Sequence, residues 1–137
     1  MKLPPIPVGA AKVDITPDYP VRLSGYGNRM AESEGVAHRI HSRAIAMGGS
    51  ETTPLTLLLT VDTCGVPADV TERVFEKIAE KTPLRREHFA ISSTHSHSAP
   101  WLMGFAPNIF AEVPDDHRAR LYLPASQAEH VELPGDE

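Results

Sequence analysis

The segment Thr94-His95-Ser96-His97-Ser98 holds the side chains best placed to do chemistry. Two histidines two residues apart on an extended chain point to the same face, so both imidazoles can reach one metal ion. Neutral imidazole is a good zinc ligand, and a catalytic zinc generally takes three protein ligands and a water. A plainer alternative stays open, in which both histidines simply hydrogen-bond within a Ser/Thr-rich loop. Position adds weight to the metal reading. The pair follows Phe89-Ala90-Ile91-Ser92-Ser93, which reads as a short parallel strand, and open α/β sheets place their sites just beyond the carboxyl ends of such strands. No aspartate occupies the next alternate position after the pair, and none precedes it at that spacing. The patterns of metallo-lactamases and of barrel amidohydrolases are therefore both missing.

Cys64 and Asp62 follow another strand, Leu55 to Val61. Cys64 falls between that strand and a helix N-terminus, an arrangement that suits a cysteine nucleophile with His95 or His97 as its base. The competing reading is a small, buried, inert cysteine. Asp62 is a candidate second carboxylate that orients a histidine, or else a turn residue bonded to local backbone. His41 lies on an earlier strand and is open as a ligand or as a packed histidine. His38, His88, His117 and His130 are flanked by charge or turn residues and are expected in solvent.

The elements that position these residues can be read from periodicity. Val8 to Ile15 alternates weakly and is stopped by Thr16-Pro17, as a short strand would be. Residues 17–37 read as loop, with turn signals at Pro17-Asp18, Pro20 and Gly25-Tyr26-Gly27-Asn28. Arg39 to Met47 alternates again. Leu55 to Val61 is apolar and Thr-rich, which suits a strand buried on both faces. Pro67 fits the first position of a helix that runs to about Lys81. Val70, Val74 and Ile78 form its apolar stripe with Phe75 and Ala79, and Thr82-Pro83 ends it. Strand, helix and strand then make a right-handed parallel unit. Trp101 to Phe110 is apolar but interrupted, residues 114–122 suit a short helix, and the stretch beyond Pro124 reads as disordered tail.

Taken in order, several pieces resemble the N-terminal part of the neutral, non-lysosomal ceramidases. They are Val8-Gly9-Ala10-Ala11-Lys12-Val13-Asp14-Ile15-Thr16-Pro17, Leu23-Ser24-Gly25-Tyr26-Gly27, Arg39-Ile40-His41-Ser42-Arg43-Ala44, Leu59-Thr60-Val61-Asp62 and Ser93-Thr94-His95-Ser96-His97-Ser98-Ala99-Pro100. The resemblance covers about residues 8–110. It implies a zinc-dependent amidohydrolase that cleaves the N-acyl bond of ceramide-like lipids, with the metal held by two histidines, a glutamate and a tyrosine. Carried over residue by residue, it makes His95 a zinc ligand. His97 becomes a second active-site histidine, catalytic and able to contact substrate. The family motif continues with Gly-Pro-Gly, whereas this chain has Ala99-Pro100-Trp101-Leu102, which allows a different amide or ester substrate. The remaining ligands belong to downstream parts of the family's fold. The expectation is thus a truncated, frame-shifted or split piece, inactive alone and open to a complementary downstream chain. A non-catalytic remnant or binding module, and a Cys64-dependent hydrolase, are the alternatives. Family members are often secreted or at membrane surfaces, while this chain, as written, shows no signal-peptide core and reads as cytoplasmic.

Charge and composition set outer limits. The chain has 137 residues with 18 acidic and 13 basic side chains, a net charge of −5. Residues 1–111 carry 11 of each sign, and residues 112–137 carry 7 acidic and 2 basic. This divides the chain into a neutral body, 1–111, and an acidic tail, 112–137, expected to be disordered. No basic patch suggests nucleic-acid binding. The single cysteine excludes an internal disulfide, and the apolar run Leu57-Leu58-Leu59 is too short to span a membrane. With 13 prolines, more than the usual ~5% share, much of the chain must be loop. The fold class expected is α/β: a partial sandwich with a βαβ crossover and long Pro-rich loops, part of a larger domain.

Overall fold

The computed structural model describes residues 5–102 and 104–106. The expected helix at 114–122, the acidic tail and the 111/112 boundary lie outside them. Four strands and one helix follow in the order β1 (Val8–Asp14), β2 (His41–Met47), β3 (Thr56–Val61), α1 (Ala68–Ala79) and β4 (Phe89–Ser93). All four strands sit close to where the sequence reading places them. The sheet order is β1-β2-β3-β4. The first two pairings are antiparallel and the third, β3 with β4, is parallel. β3, α1 and β4 thus form the expected βαβ unit within a small mixed α/β fold.

Register decides which residues share a face. Leu57 pairs with Phe89 and Leu59 with Ile91, so these four point to one side. Helix α1 covers that side, with the Phe75 and Phe89 rings 5.8 Å apart. Its stripe of Val70, Val74, Phe75 and Ile78 is half-buried. Asp69 in the first turn and Lys77 in the last complement the helix dipole. Pro67 stands one residue further out than expected. Its ψ of 153° makes it the extended N-cap rather than the first helical residue.

The opposite face carries Val8, Ile45, Met47 and Leu58, brought together by the pairings Val8–Met47 and Ile45–Leu58. All four are exposed, Leu58 to 40%. β3 is therefore covered on one face only among the described residues, which corrects the expectation of a strand buried on both. An apolar run shows that a strand can be buried, but not how many layers the neighbouring elements supply. No helix among the described residues is long and apolar enough to cross a membrane.

Burial differs from the sequence reading at His88 and adds a core residue at Trp101. Trp101, at the start of the interrupted apolar stretch, is buried at 4% exposed. Arg22, from the loop between β1 and β2, packs on its ring, as described below. His88, expected in solvent, is half-buried with its Nδ1 out of contact with water, because the 3-10 turn Arg86–His88 leads directly into β4.

Candidate functional site

β3 and β4 end side by side, with Val61 opposite Ser93. The two chains leaving them remain joined. The Thr94 N–H donates to the Val61 carbonyl at 3.0 Å and the Ser96 N–H to the Thr63 carbonyl at 3.1 Å. This pairing brings Cys64 against the histidine segment. His95 Nδ1 lies 2.8 Å from the Cys64 carbonyl oxygen, and the Cys64 Sγ lies 4.0 Å from the same nitrogen. A carbonyl only accepts, so this contact assigns the proton to Nδ1 and leaves Nε2 with a free lone pair.

The segment is not the extended chain that the His-x-His spacing suggested. His95 has a φ of 58°, in the left-handed region that few non-glycine residues occupy. The backbone turns there, yet the two imidazoles stay together, with centroids 5.0 Å apart and planes at 62°. Their closeness comes from the turn and from the packing around His97, not from strand alternation. His95 is exposed, His97 half-buried and Cys64 buried, and one donor atom from each lies within 4.8 Å of the others.

A second loop fastens this cluster from outside. The Ser24 N–H and hydroxyl both donate to the Ala99 carbonyl, at 2.9 and 3.0 Å. Arg29 donates to the His97 carbonyl at 2.7 Å and to the Ser24 carbonyl at 3.3 Å. The guanidinium of Arg29 also stands 5.1 Å from the centre of the Tyr26 ring, and that ring meets His97 edge-on at 5.2 Å. Gly25 makes the approach possible. Its φ is 103°, and a Cβ there would fall 2.7 Å from the Cα of His97. Beneath, Trp101 donates its backbone N–H to the Arg22 carbonyl at 2.9 Å. Its indole N–H donates to the Phe105 carbonyl at 3.0 Å, and the Arg22 guanidinium lies 5.3 Å from its ring. The sequence marks Gly25-Tyr26-Gly27 as a turn but gives no sign that this turn seats His97. Arg29 carries no sequence signal at all.

Asp62 sits at the neighbouring strand end. It accepts from the His41 N–H at 2.8 Å and from Arg43 at 2.9 Å, and His41 Nδ1 is 3.8 Å from its Oδ2. The Arg43 hydrogen bond is the main cause holding the Asp62 carboxyl below its ordinary range, against the opposing pull of burial. Thr94 bonds it as well, so Asp62 touches the residue before His95 and orders the segment from behind. The histidine it meets directly is His41.

This architecture defines a class: a small α/β unit whose parallel strand ends present a Cys/His/His donor cluster. Residues 7–114 match the sequence model of the neutral/alkaline non-lysosomal ceramidase N-terminal region. That is well over half of the chain, and the chain belongs to this family. The donor chemistry fits a zinc ion. A metal-bound histidine usually gives its other ring N–H to a carbonyl or carboxylate, and the His95 Nδ1–H here meets such an acceptor in the Cys64 carbonyl.

Proposed function

We propose that this chain supplies the first ligand segment of a zinc-dependent amidohydrolase acting on the N-acyl bond of ceramide-like lipids. The observation that carries the reading is the His95 Nδ1 contact with the Cys64 carbonyl, 2.8 Å, beside a second imidazole at the carboxyl end of a parallel strand pair. When bound, zinc would polarise an acyl carbonyl and make water a nucleophile at neutral pH. His95 offers Nε2 to the metal. His97, gripped by Arg29 and Tyr26, faces the same space and is the residue proposed to touch substrate. Asp62 orders the strand end through Thr94 and His41. Its role toward the metal histidines is indirect.

The same reading takes residues 1–111 as part of a larger α/β sandwich, with 112–137 as a separate acidic segment. The exposed apolar face of Val8, Ile45, Met47 and Leu58 supports a further layer there. Two imidazoles and a thiol do not complete a ceramidase site. Additional donors are proposed to come from outside the described residues, in downstream sequence or in a complementary chain. A Cys64-dependent hydrolase is less well supported. His95 Nδ1 faces Cys64 with a proton it already donates to the carbonyl, so it is not placed to take one from the thiol.

Zinc titration of His95→Ala and His97→Ala separately tests the ordering of roles. The larger loss of affinity is expected for His95→Ala, and equal or reversed losses overturn it. The chain by itself is expected to give no turnover of a short-chain ceramide with zinc added. Hydrolysis above a His95→Ala control would refute the need for further donors.

A further inference from the structure

Arg29 differs from the arginines around it. Arg39, Arg43, Arg85 and Arg86 are exposed, and each holds a carboxylate. Arg29 is half-buried and holds no carboxylate among the described residues. A cation taken out of water normally has a partner. Only Nη1 of Arg29 is committed, to the His97 and Ser24 carbonyls. Its Nε and Nη2 meet no acceptor among the described residues. These two nitrogens share one edge of the guanidinium. It is the edge through which Arg86 holds Glu72, with Nε 2.9 Å from Oε2 and Nη2 2.6 Å from Oε1. The free edge of Arg29 is also held in place, because two carbonyls clamp Nη1 and the Tyr26 ring lies 5.1 Å from the guanidinium carbon. Arg29 further lines an open trough of about 610 Å³ with Leu23, Ala31 and Val36 among its walls.

We propose that Arg29 binds a substrate carboxylate beside His97, so that the molecule taken here is an N-acyl amino acid, an assignment that rests on the N-acyl amidohydrolase reading above and narrows its substrate. In such a molecule one carbon separates the amide nitrogen from the carboxylate. A guanidinium edge with two parallel N–H donors matches a carboxylate in bidentate fashion. Arg29 touches the His97 backbone, which puts that edge next to the histidine proposed to meet substrate. The apolar side chains of Leu23, Ala31 and Val36 suit the acyl chain. Two acids share the trough, Glu32 and Glu34. Glu32 already has a partner, and Glu34 is exposed. One arginine with one open acid nearby suits a monoanion better than a phosphate of nearly two charges. Ser24, the other residue that Arg29 holds, bonds Ala99, where this chain departs from the family's Gly-Pro-Gly.

N-octanoylglycine is the probe, titrated calorimetrically into the full 137-residue chain and into Arg29→Ala. N-octanoylglycinamide serves as its neutral counterpart, and octanoate carries the carboxylate without the amide. N-octanoylglycine is expected to bind roughly tenfold more tightly than the glycinamide, the size of a charge-assisted hydrogen bond, and added salt should narrow that ratio. In Arg29→Ala the ratio should fall to near one. General loosening of the loop weakens both probes together and leaves the ratio alone, so the ratio reports the carboxylate contact. Equal binding of the two amides to the unsubstituted chain overturns the carboxylate site and leaves the N-acyl reading standing. Octanoate binding as tightly as N-octanoylglycine overturns the assignment of the carboxylate to the amine half of the substrate. A preference that survives in Arg29→Ala overturns the part given to Arg29. Binding of neither amide overturns both this proposal and the N-acyl reading. The comparison of the two amides needs no variant, so misfolding of a substituted chain cannot decide it.

Discussion

At the carboxyl ends of β3 and β4, Thr63, Cys64, Ala99 and Trp101 are each at most 5% exposed, and Val21, Arg22 and Ser24 are packed over them at 7% or less. Along β1, at the far edge of the same sheet, every residue is exposed. In most small α/β units the densest packing lies between sheet and helix, but α1 itself contains no fully buried residue. Here it is greatest where two loops cross beside the histidines. Backbone bonds from Ser24 to Ala99 and from Trp101 to Arg22 do for these loops what ladder bonds do for strands. The contrast teaches that the described unit is organised around its candidate site, while the rest of the sheet keeps an apolar face toward whatever adjoins it.

Trp101→Ala should show the contrast most strongly. Removing a buried tryptophan costs about 3–5 kcal/mol, and this one also anchors the Arg22 guanidinium and the Phe105 carbonyl. Chemical denaturation measures the loss, and a value as small as that of an exposed residue would erase the distinction between the two regions. Arg29→Ala comes next. Hydrogen bonds from a charged group are worth about 1.5–3 kcal/mol, and Arg29 joins the His97 and Ser24 carbonyls with one guanidinium nitrogen. Arg29→Lys should restore only part, because an ammonium lacks the guanidinium's fixed fork of donors. Imidazole NMR shifts of His97 should move in Arg29→Ala while those of His38, exposed and distant in sequence, stay put. Equal shifts at both would mean general loosening rather than a specific grip.

A smaller effect is expected at Asp62. Its folded pKa lies below the ordinary 3.8. The stability it contributes is therefore present above that value and is lost as pH falls through the folded one. Arg43→Ala removes the leading cause, so the carboxyl should titrate nearer its ordinary value and stability should depend less on pH in the acid range. Arg43 is 43% exposed, and solvent screening keeps the change modest. Carboxyl NMR of Asp62 follows it directly, and an unchanged midpoint would show that Arg43 is not the cause. Smallest of all is Val8→Thr on the open face. Val8 is 67% exposed, so the change in stability should stay within about 0.5 kcal/mol. A larger loss would show that this face is already covered in solution, and would sharpen the case for a further layer.

Much of this architecture is legible in the residues one segment at a time. Alternation marks β1 and β2, the apolar Thr-rich run marks β3, and the Val70–Val74–Ile78 stripe between Pro67 and Thr82-Pro83 marks α1. These signals are local, because strand and helix periods depend on neighbours two to four residues away. The order and spacing of the motif segments around His95 and His97 are enough to suggest the family. The sequence alone also showed that both histidines follow a strand end and that Cys64 and Asp62 follow another. It could not show that the two ends adjoin, since the parallel pairing of Val61 with Ser93 spans a helix. Nor could it show the turn at His95, the reach of Arg29 to the His97 carbonyl, or the facing of Cys64 toward both imidazoles. Those features arise from contacts between residues about 30 to 75 positions apart, and no local pattern encodes them. Sequence by itself determined which side chains were available and which elements carry them. Tertiary structure decided which of them meet, because only the closed sheet and the crossed loops bring donors from separate segments within a few ångströms.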